Sequence, residues 1–121
     1  MVHKISAKSL LKKIPGPVTH AWPDGEPFAD GMAHGTMSLE LFAPRQHDYQ
    51  KPHAQDELYI VIEGTADFIH NGERTNVTKG DALFVPAGDA HHFEKISNEF
   101  VTWVVFWGPS GGETKRRLFA D

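Results

Sequence analysis

Pro52-His53-Ala54-Gln55-Asp56-Glu57-Leu58-Tyr59-Ile60-Val61-Ile62-Glu63-Gly64 is the stretch on which the fold turns. From Leu58 to Glu63 the run is almost continuously apolar and rich in β-branched and aromatic residues, and Gly64 ends it. Such a run predicts a strand covered on both faces. A histidine and a carboxylate, His53 and Glu57, stand four positions apart at its mouth. A second stretch, Gly80-Asp81-Ala82-Leu83-Phe84-Val85-Pro86-Ala87-Gly88-Asp89-Ala90-His91, follows the same plan of short apolar strand, Pro/Gly turn and histidine. Two histidines and one glutamate delivered by strands point to a mononuclear metal site inside a small barrel.

Outward from these two stretches the pattern stays that of short strands. Thr36 to Ala43 alternates, with Met37, Leu39 and Leu41 on one face and Thr36, Ser38 and Glu40 on the other. Thr65 to His70 and Glu73 to Thr78 flank Asn71-Gly72, a strong signal for a two-residue hairpin turn. Ala82 to Val85, His91 to Ile96 and Phe100 to Trp107 complete the series. In the last, Val101, Trp103, Val105 and Trp107 share one face, and Phe100, Val104 and Phe106 share the other. Ahead of the strands, Ser6 to Ile14 reads as a short helix capped by Ser6 and stopped by Pro15-Gly16-Pro17. Residues 18–35 read as a long ordered loop with an edge strand near Val18 to Trp22, pinned to the body by Trp22 and Phe28. Seven or so strands and one short helix predict an all-β sandwich or barrel. The division expected is residues 1–35 as helix and loop packed on the body, 36–108 as the barrel and 109–121 as a tail, all in a single domain.

Composition narrows the chemistry. The chain has 121 residues, a formal charge of -4 and no cysteine. That excludes disulfides and thiolate metal sites, so a metal here would take nitrogen and oxygen ligands. No basic face stands out, which argues against nucleic acid as the main partner. No apolar run approaches the roughly 20 residues of a membrane helix. Met1 to Pro15 carries lysines but no apolar segment of the signal-peptide kind, so a cytoplasmic location is expected.

The spacing of these residues resembles the cupin superfamily. Its first motif, G-x5-H-x-H-x3-4-E-x6-G, is met by His53, Glu57 and Gly64. Its second, G-x5-P-x-G-x2-H-x3-N, is met by Gly80, Pro86, Gly88 and His91. The run from Gln50 through Lys51, Pro52, His53, Gln55 and Asp56 to Glu57 is similar to a subgroup of small single-domain cupins. The resemblance implies a double-stranded β-helix, a jelly-roll barrel, holding a divalent metal such as Fe, Zn, Mn or Ni. The chain departs from the pattern at Arg45, Lys51 and Lys95, where the family has the leading glycine, the first histidine and the closing asparagine. A protonated lysine does not bind a metal. The ligands implied are therefore His53, Glu57 and His91, with His47 or Gln50 as the alternatives for a fourth.

Strand periodicity supports the same three residues. Glu57 should share its face with Tyr59 and Val61, and His91 with Phe93. Without a metal, the trio would have to form a hydrogen-bonded polar core. His92 should face away. His3, His20, His34 and His70 read as surface or loop residues, and Lys115-Arg116-Arg117 as a solvated tail. Tyr59 is either a neighbour of the donors or a core tyrosine, while Lys51 could offset the charge of an anionic ligand; both are candidates for catalysis. Trp103 and Trp107 read as core or interface. The function classes left open are a dioxygenase-like metal enzyme, a non-redox isomerase or lyase, and a small-ligand binding module. A homodimer is expected, because the apolar strands need cover on their outer faces.

Overall fold

The computed structural model describes residues 3–114. Among them run one helix, α1 (Ala7–Leu11), and eight strands: β1 (Phe28–His34), β2 (Met37–Phe42), β3 (Asp56–Glu63), β4 (Thr65–His70), β5 (Glu73–Thr78), β6 (Ala82–Val85), β7 (His91–Glu94) and β8 (Val101–Trp107). They form a five-stranded sheet in the order β1-β2-β8-β3-β6 and a three-stranded sheet in the order β5-β4-β7, with every pairing antiparallel. The fold is the expected all-β, double-stranded β-helix.

Alternation along each strand fills the space between the sheets. Phe42, Tyr59, Val61, Ala66, Phe68, Val77, Val85, Phe93, Phe100 and Val104 form one buried cluster. Phe93 is its hub, with ring centroids 4.9 Å from Phe68, 5.0 Å from Phe100, 5.2 Å from Tyr59 and 6.1 Å from Phe42. A second cluster lies outside the large sheet. Leu10 of α1 and Ala29, Leu41, Ala43 and Val101 are its buried members, with Ile5, Ile14, Ile62 and Trp103 packed against them. The helix is brief. The Ser6 side chain accepts from Ser9 N at 3.2 Å, and helix ends at Leu11 rather than Ile14. Its function is to carry Leu10 onto the outer face of β1 and β2.

The reading of residues 18–35 is corrected here. Residues 28–34 are a strand and not part of a loop, whereas Val18 to Trp22 forms a turn closed by Trp22 N on Thr19 Oγ1 at 3.0 Å. The period-two signal of β1 is broken because its register against β2 shifts between Asp30 and Met32. In β2 the expected division into two faces holds. Its apolar Leu41 faces outward, into the cluster under α1, while Glu40 and Phe42 face the interior. Trp22 does pin its segment as expected, edge-on to Phe28 at 6.1 Å and to Phe42 at 6.4 Å. Lys115-Arg116-Arg117 lies outside the described residues.

Glycines at two turns have different duties. Asn71 (φ 49°) and Gly72 (φ 83°) make the β4–β5 turn with both residues at positive φ, as a type I′ turn requires. Gly64, between β3 and β4, has φ 77°, and a Cβ there would stand 2.6 Å from Phe100 Cα and N. At Gly72 a Cβ would meet nothing within 4 Å. Gly72→Ala should therefore cost about 1–2 kcal/mol of conformational strain. Gly64→Ala adds a backbone clash and should cost clearly more. Urea unfolding of the two variants checks the order; equal losses would contradict it.

Candidate metal centre

The centre is built where β3 and β7 face one another across the barrel. Glu57 is the second residue of β3, and its side chain points inward with Tyr59 and Val61. His91 opens β7 and points inward with Phe93. His53 reaches in from the loop ahead of β3, after Pro52. That loop is fixed by Gly88 N donating to His53 O at 2.8 Å, which ties it to the turn between β6 and β7. The His53 ring lies 5.4 Å from that of His91 and 5.0 Å from Phe106.

One donor atom from each of His53, Glu57 and His91 falls within 4.8 Å of the others. His91 Nε2 is 2.7 Å from Glu57 Oε1, and His53 Nε2 is 4.0 Å from the same oxygen. His91 Nδ1 stands 2.9 Å from the carbonyl oxygen of Asp89. A carbonyl only accepts, so Nδ1 carries the hydrogen and the neutral ring presents a lone pair at Nε2. With the ring neutral, two lone pairs would face each other at 2.7 Å; with a proton on Nε2, the two groups form a buried ion pair. Both Glu57 oxygens and His91 Nε2 are buried, and none of the three has another hydrogen-bond partner. Such an arrangement is costly unless a proton or a cation lies between them. The donor chemistry fits a divalent metal: two imidazole nitrogens and a carboxylate.

Gln50 stands beside this trio. Its Oε1 is 3.2 Å from His53 Nε2 and accepts from Tyr59 Oη at 2.9 Å. Asp48 holds it there. The Asp48 carboxylate accepts from Gln50 Nε2 at 2.6 Å, Gln50 N at 3.1 Å and Phe93 N at 2.9 Å. His47 is not brought to the group. It is exposed, with its ring 5.7 Å from that of Tyr49.

The protonation states follow from burial and neighbours. Burial lowers the pKa of His53, against the pull of Glu57, and so favours the neutral, ligating form. Burial also works against protonating His91, but the Glu57 carboxylate and the Asp89 carbonyl outweigh it, and its pKa is raised. Burial, followed by the charges of Glu57 and Asp48, pushes the Tyr59 phenol well above its ordinary value, so it stays a donor. Burial raises the Asp48 carboxyl as well, opposed by its hydrogen bonds.

The centre opens onto a cavity of about 680 Å³. Gln50, His53 and Tyr59 form its floor; Trp22, Phe28, Phe42, Tyr49, Val104 and Phe106 form aromatic and apolar walls; His20 and Lys51 lie at exposed positions on it. Among the expected surface histidines, His20 thus belongs to the cavity. His70 Nε2 pairs with Asp89 Oδ2 at 2.8 Å, and His92 faces outward as expected, 2.7 Å from Glu94 Oε2. Glu40 also lines the cavity, and the sequence reading missed it. Burial, followed by the charges of Asp30, Glu57 and Glu26, raises its pKa to about 7.

The cupin-domain family model matches residues 38–107. The chain belongs to the cupin family. A relative, an uncharacterised protein of Streptomyces coelicolor, is 48% identical over 75 residues, which are 60% of this chain and 71% of that protein. A transcriptional activator of Yersinia pestis, RhaS, is 32% identical over 73 residues, and the match spans only 27% of that protein. Among solved structures, an RmlC-like cupin of Methanocaldococcus jannaschii superposes with a TM-score of 0.59 at 15% identity, covering 66% of this chain and 77% of that one. The DMSP lyase DddQ of Ruegeria pomeroyi superposes with a TM-score of 0.58 at 22% identity, covering 69% of this chain and 48% of that one. At these identities the likeness is one of fold. Among the described residues no helix is long and apolar enough to cross a membrane.

Proposed function

We propose that this cupin binds one divalent metal through His53, Glu57 and His91, with the Gln50 carbonyl oxygen as a neutral fourth donor, and that it acts on a small anionic molecule held in the adjoining cavity. The observation that carries the proposal is the pair His91 Nε2 and Glu57 Oε1, buried 2.7 Å apart without a hydrogen-bond partner. A bound metal would supply Lewis acidity and, as iron, oxygen chemistry at its open positions. Two histidines and one carboxylate favour the dioxygenase-like class, with a non-redox isomerase or lyase as its alternative. The chain's own residues would do the rest. Tyr59 fixes Gln50 by hydrogen bonding, the aromatic walls exclude water, and Lys51 offsets the charge of an anionic ligand. A second reading, a ligand-binding module without catalysis, draws support from the match to about a quarter of a transcriptional activator.

Protein loaded with Fe, Zn, Mn or Ni should retain about one equivalent, with histidine nitrogens about 2.0–2.2 Å from zinc by X-ray absorption. His91→Ala should lose it. For the iron form, kept anaerobic, nitric oxide should give an EPR nitrosyl signal; its absence from fully loaded protein would remove the oxygenase reading and leave the non-redox one.

Lys51→Met separates charge from structure. The variant should keep its metal while binding anions such as benzoate several-fold more weakly. Loss of metal instead would show that Lys51 supports the centre.

We also infer that the protein is a homodimer. Phe84 is 51% exposed and Ile60 39% exposed on the outer face of the large sheet, with Trp107 6.0 Å from Phe84. A second copy would cover this apolar face. Light scattering should give twice the 13.5 kDa of one chain, and Phe84→Glu should reduce it to one; a wild-type particle of 13.5 kDa would exclude the dimer.

A further inference from the structure

Glu40 has no part in the chemistry described so far. It lies on the interior face of β2 with Phe42, and strand register sets it beside Val104 of β8, which in turn lies beside Tyr59 of β3. Glu40 and Tyr59 are thus two strand spacings apart, about 10 Å of backbone, on one wall of the same cavity. Val104 lies between them and Phe106 next to it on the same face of β8, both apolar. A ligand seated against the floor and lying along that wall would bring its body over Phe106 and one end towards Glu40.

The charges around Glu40 are of its own sign. Asp30 faces it from the neighbouring strand β1, with Glu26 ahead of that strand; Glu57 faces it from β3, and all three disfavour its ionised form. From β8 it meets no titratable group at its paired position, which is Val104. Lys51, His53, His20 and Tyr49, from the two segments that rim the cavity, and Tyr59 on its floor complete the titratable lining. A carboxyl so placed holds its proton below about pH 7 and loses it above.

We propose that Glu40 is a specificity residue of this cavity, admitting an aromatic carboxylate while it carries its proton and repelling it once the proton is lost. The aromatic body follows from the walls of Trp22, Phe28, Phe42, Tyr49 and Phe106. The neutral carboxyl can also donate a hydrogen bond to the ligand, which the ionised form cannot. The proposal rests on the reading of the cavity as an anion site beside the metal centre.

Benzoate is a suitable probe, titrated calorimetrically into zinc-loaded protein with metal content checked at each pH. Wild-type affinity should fall on the order of tenfold from about pH 6 to about pH 8. Glu40→Gln, neutral throughout, should bind with nearly equal affinity at both and more tightly than wild type at the higher pH. An unchanged fall in Glu40→Gln would overturn the role of Glu40 and leave the anion site standing. Failure of benzoate to bind wild type at either pH would instead overturn the anion site. In that case ¹³C-carboxyl NMR judges Glu40 alone. A glutamate resonance titrating near pH 7, and missing from Glu40→Gln, supports its buried, proton-holding state, and a midpoint in the ordinary range near 4.5 refutes it.

Discussion

Everything in this barrel is arranged around a carboxylate that cannot reach water. Glu57 is 1% exposed, and its nearest polar neighbour is an imidazole nitrogen whose other ring nitrogen is already committed to a backbone carbonyl. Burying such a pair without a shared proton or cation is costly. The fold accepts that cost because the two residues sit on strands from different sheets, whose positions are fixed by the aromatic cluster around Phe93. Removing the polar pair would leave the cluster intact; removing the cluster would leave the pair nothing to stand on.

Support for the centre is layered in sequence as well as in space. Asp48, Gln50 and His53 come from one loop, and each holds the next or stands next to it. Asp48 binds Phe93 N of β7, the strand that carries His91, so one carboxylate positions Gln50 and anchors its loop to that strand. The turn carrying Gly88 and Asp89 does the same from the other side: Gly88 N holds the His53 backbone, and Asp89 O orients His91. Asp56 extends this fastening outward, accepting from Ala87 N and Glu113 N at 2.9 Å each. The donors are therefore held by backbone groups and buried carboxylates rather than by flexible side chains alone, as a preorganised site requires.

Much of this was legible in the sequence, and the reasons for the remainder are physical. The limits of β4, β5 and β6 could be read directly, because Asn71-Gly72 and the Pro/Gly turns punctuate them. The trio His53, Glu57 and His91 could be read because strand periodicity and motif spacing agree. That Gln50 stands beside the trio and His47 does not was not legible, since what holds Gln50 there is Asp48, a contact within the loop that no period encodes. β1 was hidden by its bulge near Gly31.

Glu40 shows a more general limit. Alternation in β2 separates two faces but does not say which is inside. The usual inference, apolar side inward, holds when the other side meets water. Here α1 covers the outer face of β1 and β2 with Leu10, so Leu41 finds an apolar home outside the barrel, and the interior position is left to a carboxylic acid. Burying an acid on that wall, beside Asp30 and within reach of the charge of Glu57, raises the free energy of its ionised form, so the barrel acquires a group that is sensitive to pH near neutrality. A helix of five residues, none of them in the cavity's lining, thus covers the outer face that Leu41 takes.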